Sequence, residues 1–312
     1  MEEEVVDITE VILNAINTIF SNLFSSIDNS VYSLLDDLTF ISEDFLQNSF
    51  LENILGSATQ NGIILIANSI LIGFILYYSI SSFLAYFTFS ANQKPVSFIF
   101  KLIFYTVLMN FSFFFCEQII SLNSLLSLAI RNVGETLFSK SICFSSLIDN
   151  LNSVISVGGE DFNLFSIDGL IKGFISFGLF NLVFTYSLRY IMLKVFVLIS
   201  PFAIVTLILD KTSWFFKAWL RSFFTLLMVQ NFIAIVLLVA FSVDFNDNLL
   251  SKLLYVGCIY ALMKANSYVR EIFGGISTDV STGFAGLKSR FTGGRYFWNL
   301  FFHVIIPFTV NF

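Results

Sequence analysis

The chain has 312 residues with 22 Asp and Glu against 16 Lys and Arg, a net charge of −6, yet only 12% of its residues are charged and 56% are hydrophobic. Soluble domains carry about a quarter charged residues, so a mean hydropathy of +0.84 excludes a water-soluble globular protein and makes the bilayer the expected solvent. Cys116, Cys143 and Cys258 have no C-x-x-C spacing and His303 is the single histidine, which argues against a zinc site, a His-based triad and any cofactor held by such groups. A Cys116–Cys143 bridge stays open beside the plainer reading of small hydrophobes.

Residues 1–61 hold half of the acidic side chains, Glu2, Glu3, Glu4, Asp36 and Asp37 among them, and no Lys or Arg. The start lacks the basic segment of a secretory signal, so no cleaved leader is expected. Val5, Ile8, Ile12, Ile16, Ile19, Leu23 and Ile27 recur at three- and four-residue steps, which predicts an amphipathic helix lying against the membrane or a partner. The uncharged stretch from Gly62 to Ser90 exceeds the ~20 residues needed to cross the hydrocarbon and is the first expected span. Pro95 to about Leu122 is the second, with Lys101 and Glu117 placed to snorkel toward headgroups.

Residues 123–168 are interrupted by Arg131, Glu135, Lys140, Asp149 and the run Gly158-Gly159-Glu160-Asp161, and read as a loop of short helices outside the hydrocarbon. The segment 169–209 is apolar except for Lys172, Arg189 and Lys194. A polar, aromatic connector covers 210–221 and carries Lys211, Trp214, Lys217, Trp219 and Arg221; Ser222 to Val243 and Leu253 to about Phe273 then supply two further spans. Residues 274–312 form a Gly-rich basic tail. Its run Gly283-Phe284-Ala285-Gly286-Leu287-Lys288-Ser289 lacks phosphate-loop spacing, and Lys288, Arg290 and Arg295 suit anionic lipid or nucleic-acid phosphates.

Lys and Arg accumulate on the cytoplasmic side of membrane proteins. If 169–209 crosses once, Lys94, Lys101, Lys211, Lys217, Arg221, Lys264, Arg270, Lys288, Arg290 and Arg295 lie inside, while Arg131, Lys140, Lys172 and Lys252 lie outside with most of the carboxylates. Two crossings would invert everything after residue 209 and put the basic residues outside. The expectation is therefore an all-α polytopic membrane protein of about five transmembrane helices, N-terminus out and C-terminus in. The third helix is overlong, because 41 residues at ~1.5 Å each make ~61 Å, twice a ~30 Å hydrocarbon core. Its outer half should pack against copies of itself or other subunits. Gly169, Gly173 and Gly178 leave a smooth strip suited to close helix contact, although glycine is also simply tolerated in membrane helices.

Ionisable groups inside apolar spans cost about 2.5–3.5 kcal/mol by insertion scales, which makes them functional candidates. Arg189 and Lys194 face an aqueous path or acidic partner on one reading and snorkel at an interface on the other. Gln230 and Asn231 read as interhelical hydrogen-bond links, and Ser200-Pro201 as a kink. No carboxylate pair, nucleophile constellation or metal cluster emerges, so an enzyme is not expected, and the dispersed charges lack the paired broken helices of inverted-repeat transporters.

The order Arg189, apolar run, Ser200-Pro201, polar turn Asp210-Lys211-Thr212, then Phe215-Phe216-Lys217-Ala218-Trp219 opening a span that contains Gln230 resembles the TrbL-type polytopic inner-membrane subunit of type IV secretion and conjugation machines. About 45 residues, Tyr186 to Asn231, carry the resemblance, and the rest agrees in layout. It implies a non-enzymatic component of a bacterial cell-membrane channel that passes DNA or nucleoprotein, a homo-oligomer working with other secretion subunits and separate ATPases. It also implies that a central outer loop, here roughly 117–168, takes part in substrate passage. A small-solute transporter and a structural scaffold of an envelope complex are the alternatives.

Overall fold

The structure, a computed structural model, describes residues 8–46, 53–56, 62–89, 94–154, 166–243 and 248–274. Among them there is no strand. The longer helices are α1 (Ile8–Thr39), α2 (Ile63–Thr88), α3 (Pro95–Asn110), α4 (Ser112–Phe138), α5 (Phe144–Val154), α6 (Ile167–Val205), α7 (Ser213–Phe241) and α8 (Leu249–Phe273), with a 3-10 turn at Glu43–Leu46 after α1. Four of them, α2, α4, α6 and α7, are long and apolar enough to cross a membrane. The basic tail beyond Gly274, with Lys288, Arg290 and Arg295, lies outside the described residues.

Three expectations need correction. The second span does not run from Pro95 to Leu122: α3 ends at Asn110, Phe111 bends the chain at φ −94°, ψ 10°, and α4 then continues to Phe138. The residues 123–138 that read as loop are thus helix. Their inward face carries Ser112, Cys116, Asn123, Ser127 and Gly134, while Phe114, Phe115, Leu122, Leu125, Leu126, Leu128, Val133 and Leu137 point outward. Small and polar residues inside with large apolar residues outside is the packing of a helix in lipid, and it hides from a search for unbroken apolarity. Leu253–Phe273 is helical as expected, within the 25-residue α8, whose Lys252, Lys264, Arg270 and Glu271 make it more polar than α2, α4, α6 and α7.

The third correction concerns the overlong helix. α6 is continuous over 39 residues, or ~58 Å, but its first half is covered by the same chain rather than left wholly for other subunits. Ile171, Ile175, Leu179, Leu182 and Tyr186 share one core with Leu35 of α1, Phe144 and Leu147 of α5, Val229 and Ile233 of α7, and Ile259 and Leu262 of α8. The cover comes from segments whose composition read as a surface helix and a loop. Asp36 of α1 locks them together: its carboxylate accepts from the Phe144 and Ser145 backbone N–H groups at 2.8 and 3.2 Å and from the Ser145 hydroxyl at 2.7 Å. It thereby caps the start of α5 from another helix. The opposite stripe of α6, Ile167, Leu170, Phe174, Phe177, Phe184, Leu188 and Ile191, remains exposed.

Lower on α6 the partners change. Leu193 and Val197 meet Cys116 and Ile120 of α4 and Trp219, Phe223 and Leu227 of α7; Ile204 and Val205 meet Ala67 of α2 and Phe98 and Met109 of α3. The α3–α4 pair, 16 and 27 residues joined through Phe111, therefore climbs along α6 in the opposite direction as a second rod of about 66 Å. Pro201 sits inside α6 without ending it. The missing proline N–H would have served Val197 O, and the Ser200 hydroxyl donates to that carbonyl instead at 2.6 Å.

Candidate functional site

The middle of α6 holds the most unusual group in the molecule. Arg189 is fully buried, the largest side chain of which that is true among the described residues. Its Nε donates to Leu226 O of α7 at 2.8 Å, Nη1 to Thr39 O at the end of α1 at 3.0 Å, and Nη2 to Gln230 Oε1 of α7 at 3.4 Å. Gln230 Oε1 also accepts from the Ile41 N–H at 3.2 Å. A helix leaves its last carbonyls unpaired and carries partial negative charge at that end, so Thr39 O is a natural acceptor for a cation. Arg189 does not snorkel, and it meets no acidic partner among the described residues. Its fork spreads the charge over three oxygens and ties α1, α6 and α7 at one point.

The other candidates fall into separate groups. Lys194, just over one turn below, sits half-buried with its ammonium 4.7 Å from the Tyr190 ring centroid and 5.1 Å from that of Phe45, a cation–π arrangement that holds the segment after α1 against α6. Asn231 Nδ2 donates to Asn123 Oδ1 at 2.7 Å and Asn123 Nδ2 to Leu227 O at 3.2 Å, so the amide links α7 to α4. Trp219 is buried, donates from Nε1 to Phe196 O at 2.9 Å and stacks on Phe223. Lys211 reaches the Tyr77 hydroxyl of α2 at 3.3 Å. Trp214, Lys217 and Arg221 are exposed and do not converge with the buried group. Of the glycines, Gly169 and Gly178 are buried and Gly173 partly so; a Cβ at Gly178 would stand 2.7 Å from Ile259 Cγ2, so α6 and α8 approach closely there.

Some anchors were not anticipated. Lys101 pairs with Asp210 at 2.7 Å, joining the start of α3 to the α6–α7 turn, and Lys252 pairs with Asp168 at 2.8 Å, joining the starts of α8 and α6. The Tyr186 hydroxyl donates to Leu262 O at 3.1 Å. Asn123 had a usable signal, an amide within a helix of membrane length; the contributions of Thr39 and Ile41 are backbone atoms, to which side-chain identity gives no clue. Cys116, Cys143 and Cys258 are free thiols. Chemically the buried constellation is a guanidinium whose donors meet Thr39 O, Leu226 O and Gln230 Oε1, an arrangement that fixes three helices at one point. No family model, curated protein or solved structure matches the chain.

Proposed function

We propose that the chain is a non-enzymatic subunit of a type IV secretion or conjugative DNA-transfer channel in a bacterial cell membrane. In this reading α2, the kinked α3–α4 rod, α6, α7 and α8 cross in turn, with the N-terminus outside and the C-terminus in the cytoplasm. The supporting observation is the pair of antiparallel rods, α6 and α3–α4, each about twice the thickness of the hydrocarbon. Rods of that length join an intramembrane bundle to a helical body beyond it, as a component that links a membrane channel to an envelope assembly requires. The ion pairs agree with one crossing of α6: Lys252–Asp168 closes one end and Lys101–Asp210 the other. The resemblance over Tyr186 to Asn231 supplies the cargo, DNA or nucleoprotein, and the partners, separate ATPases, other secretion subunits and further copies of the chain.

A scaffold that assembles envelope proteins without a path of its own is the second reading, favoured by the enclosure of Arg189, whose hydrogen bonds are all internal. The test is complementation of a deletion strain by the full chain carrying Lys217→Ala with Arg221→Ala, exposed cations outside the packed core. DNA transfer that falls at least about tenfold while the partner subunits still co-purify supports a channel role; unchanged transfer favours the scaffold. If wild-type chain fails to restore DNA transfer at all, the conjugative reading is wrong.

A further inference from the structure

A cavity of about 390 Å³ opens between the segment after α1, the outer part of α4 and the middle of α7. Its floor is polar and unspent. Ser127 is 1% exposed and its hydroxyl has no hydrogen-bond partner among the described residues, a costly state unless something in the cavity completes it. Arg131 lies one turn further along the same face of α4. Its Nε donates to Ile142 O at 2.8 Å and its guanidinium stands 4.3 Å from the Phe40 ring centroid, which fixes the plane and leaves the two terminal nitrogens as unused donors among the described residues. Gln230 has its Oε1 taken by Arg189 and Ile41, so its amide NH₂ is the group left for the cavity. Ser124 adds a second hydroxyl, and no carboxylate lines the space among the residues whose side chains are described.

Donors outnumber acceptors here, one of them is a fixed cation, and the charge of Arg189 lies directly behind Gln230. Such a set selects an anion with several oxygens. The rim has the opposite character. Leu125 and Leu128 line the cavity and are about half exposed, on a helix long and apolar enough to cross a membrane. A ligand that fills both parts is amphipathic. We propose that this cavity binds one anionic phospholipid, its phosphate held by Ser127, Gln230 and Arg131 and its acyl chains laid along Leu125 and Leu128. The inference stands apart from the channel reading, since it concerns the isolated chain and not what it transports.

The test uses the full chain, delipidated in detergent and titrated with phosphatidylglycerol, phosphatidylcholine or inorganic phosphate, with bound lipid counted by native mass spectrometry. One phosphatidylglycerol per chain should be retained saturably, with roughly tenfold preference over phosphatidylcholine. Arg131→Gln should remove that preference. Ser127→Leu fills the floor without touching a charge or the Ile142 contact, and should abolish the stoichiometric adduct while the chain still unfolds cooperatively and elutes as wild type does in detergent. Equal retention of the two lipids, or a phosphatidylglycerol adduct unchanged in Ser127→Leu, overturns the proposal. Binding of inorganic phosphate without phosphatidylglycerol keeps an anion site but overturns the lipid assignment.

Discussion

Helices α2 and α7 are nearly equal in hydropathy and opposite in burial: 11% of the apolar stretch of α2 is buried within the chain, against 61% for α7. The difference lies in what their few polar groups do. In α2 the hydroxyls of Ser69, Ser79 and Thr88 donate to carbonyls four residues back, at 3.1, 2.8 and 3.0 Å. Each is satisfied inside its own helix and can face lipid. In α7, Gln230 and Asn231 look outward from the helix to Arg189, Ile41 and Asn123, and an amide in hydrocarbon must find such partners. Apolarity decides that a helix enters the bilayer, and the minority of polar side chains decides whether it stands at the centre or the edge.

The strongest way to break this contrast is to remove the central clasp. Arg189→Ala takes the guanidinium donors from Thr39 O and Leu226 O, leaves Gln230 Oε1 with the Ile41 N–H alone and opens a large void, and should destabilise the bundle by about 3–5 kcal/mol, read as a lowered thermal midpoint by tryptophan fluorescence in micelles. Arg189→Lys keeps the charge but loses the fork and should recover only part of that. If Arg189→Ala unfolds at the wild-type midpoint, the clasp is not structural.

Glycine offers a paired test. Gly178→Ala forces a Cβ to within 2.7 Å of Ile259 Cγ2 on α8, whereas a Cβ at Gly73 in α2 meets nothing within 4 Å. The first should cost about 1–3 kcal/mol; the second should fall within about 0.5 kcal/mol of wild type. Equal effects would mean that α2 is as tightly packed as α6. Below Gly178→Ala, Asn231→Leu removes the link to Asn123 and should cost about 0.6–1.7 kcal/mol, the range for interhelical hydrogen bonds in membranes, while Ser79→Ala in α2 should be close to silent by the same measurement.

These contrasts also mark what was legible in the sequence. The ends of α2 and α6 fall within four residues of those expected, 62–90 and 169–209 against Ile63–Thr88 and Ile167–Val205, because both are long apolar runs broken by few charged residues. α4 was cut short because its packed face is made of Ser112, Asn123, Ser127 and Gly134, and Arg131 and Glu135 look like a terminus when position along the chain is considered without face. Arg189 and Gln230 stood out as polar residues in apolar runs, and the fold brings them together. Their remaining partners, Thr39 O and Leu226 O, are backbone atoms, and the arrival of the end of α1 at that point depends on tertiary packing that no local pattern encodes.

The proposed topology requires α6 to pass through the bilayer once, with its start outside the cell. In a chain lacking Cys116, Cys143 and Cys258, single cysteines at Ile167 and Lys211 would be probed on intact cells with a membrane-impermeant thiol reagent. The expected result is labelling of Ile167→Cys from outside and labelling of Lys211→Cys only after the membrane is opened; reaction of Lys211→Cys in intact cells, or of both positions from the same side, would contradict it.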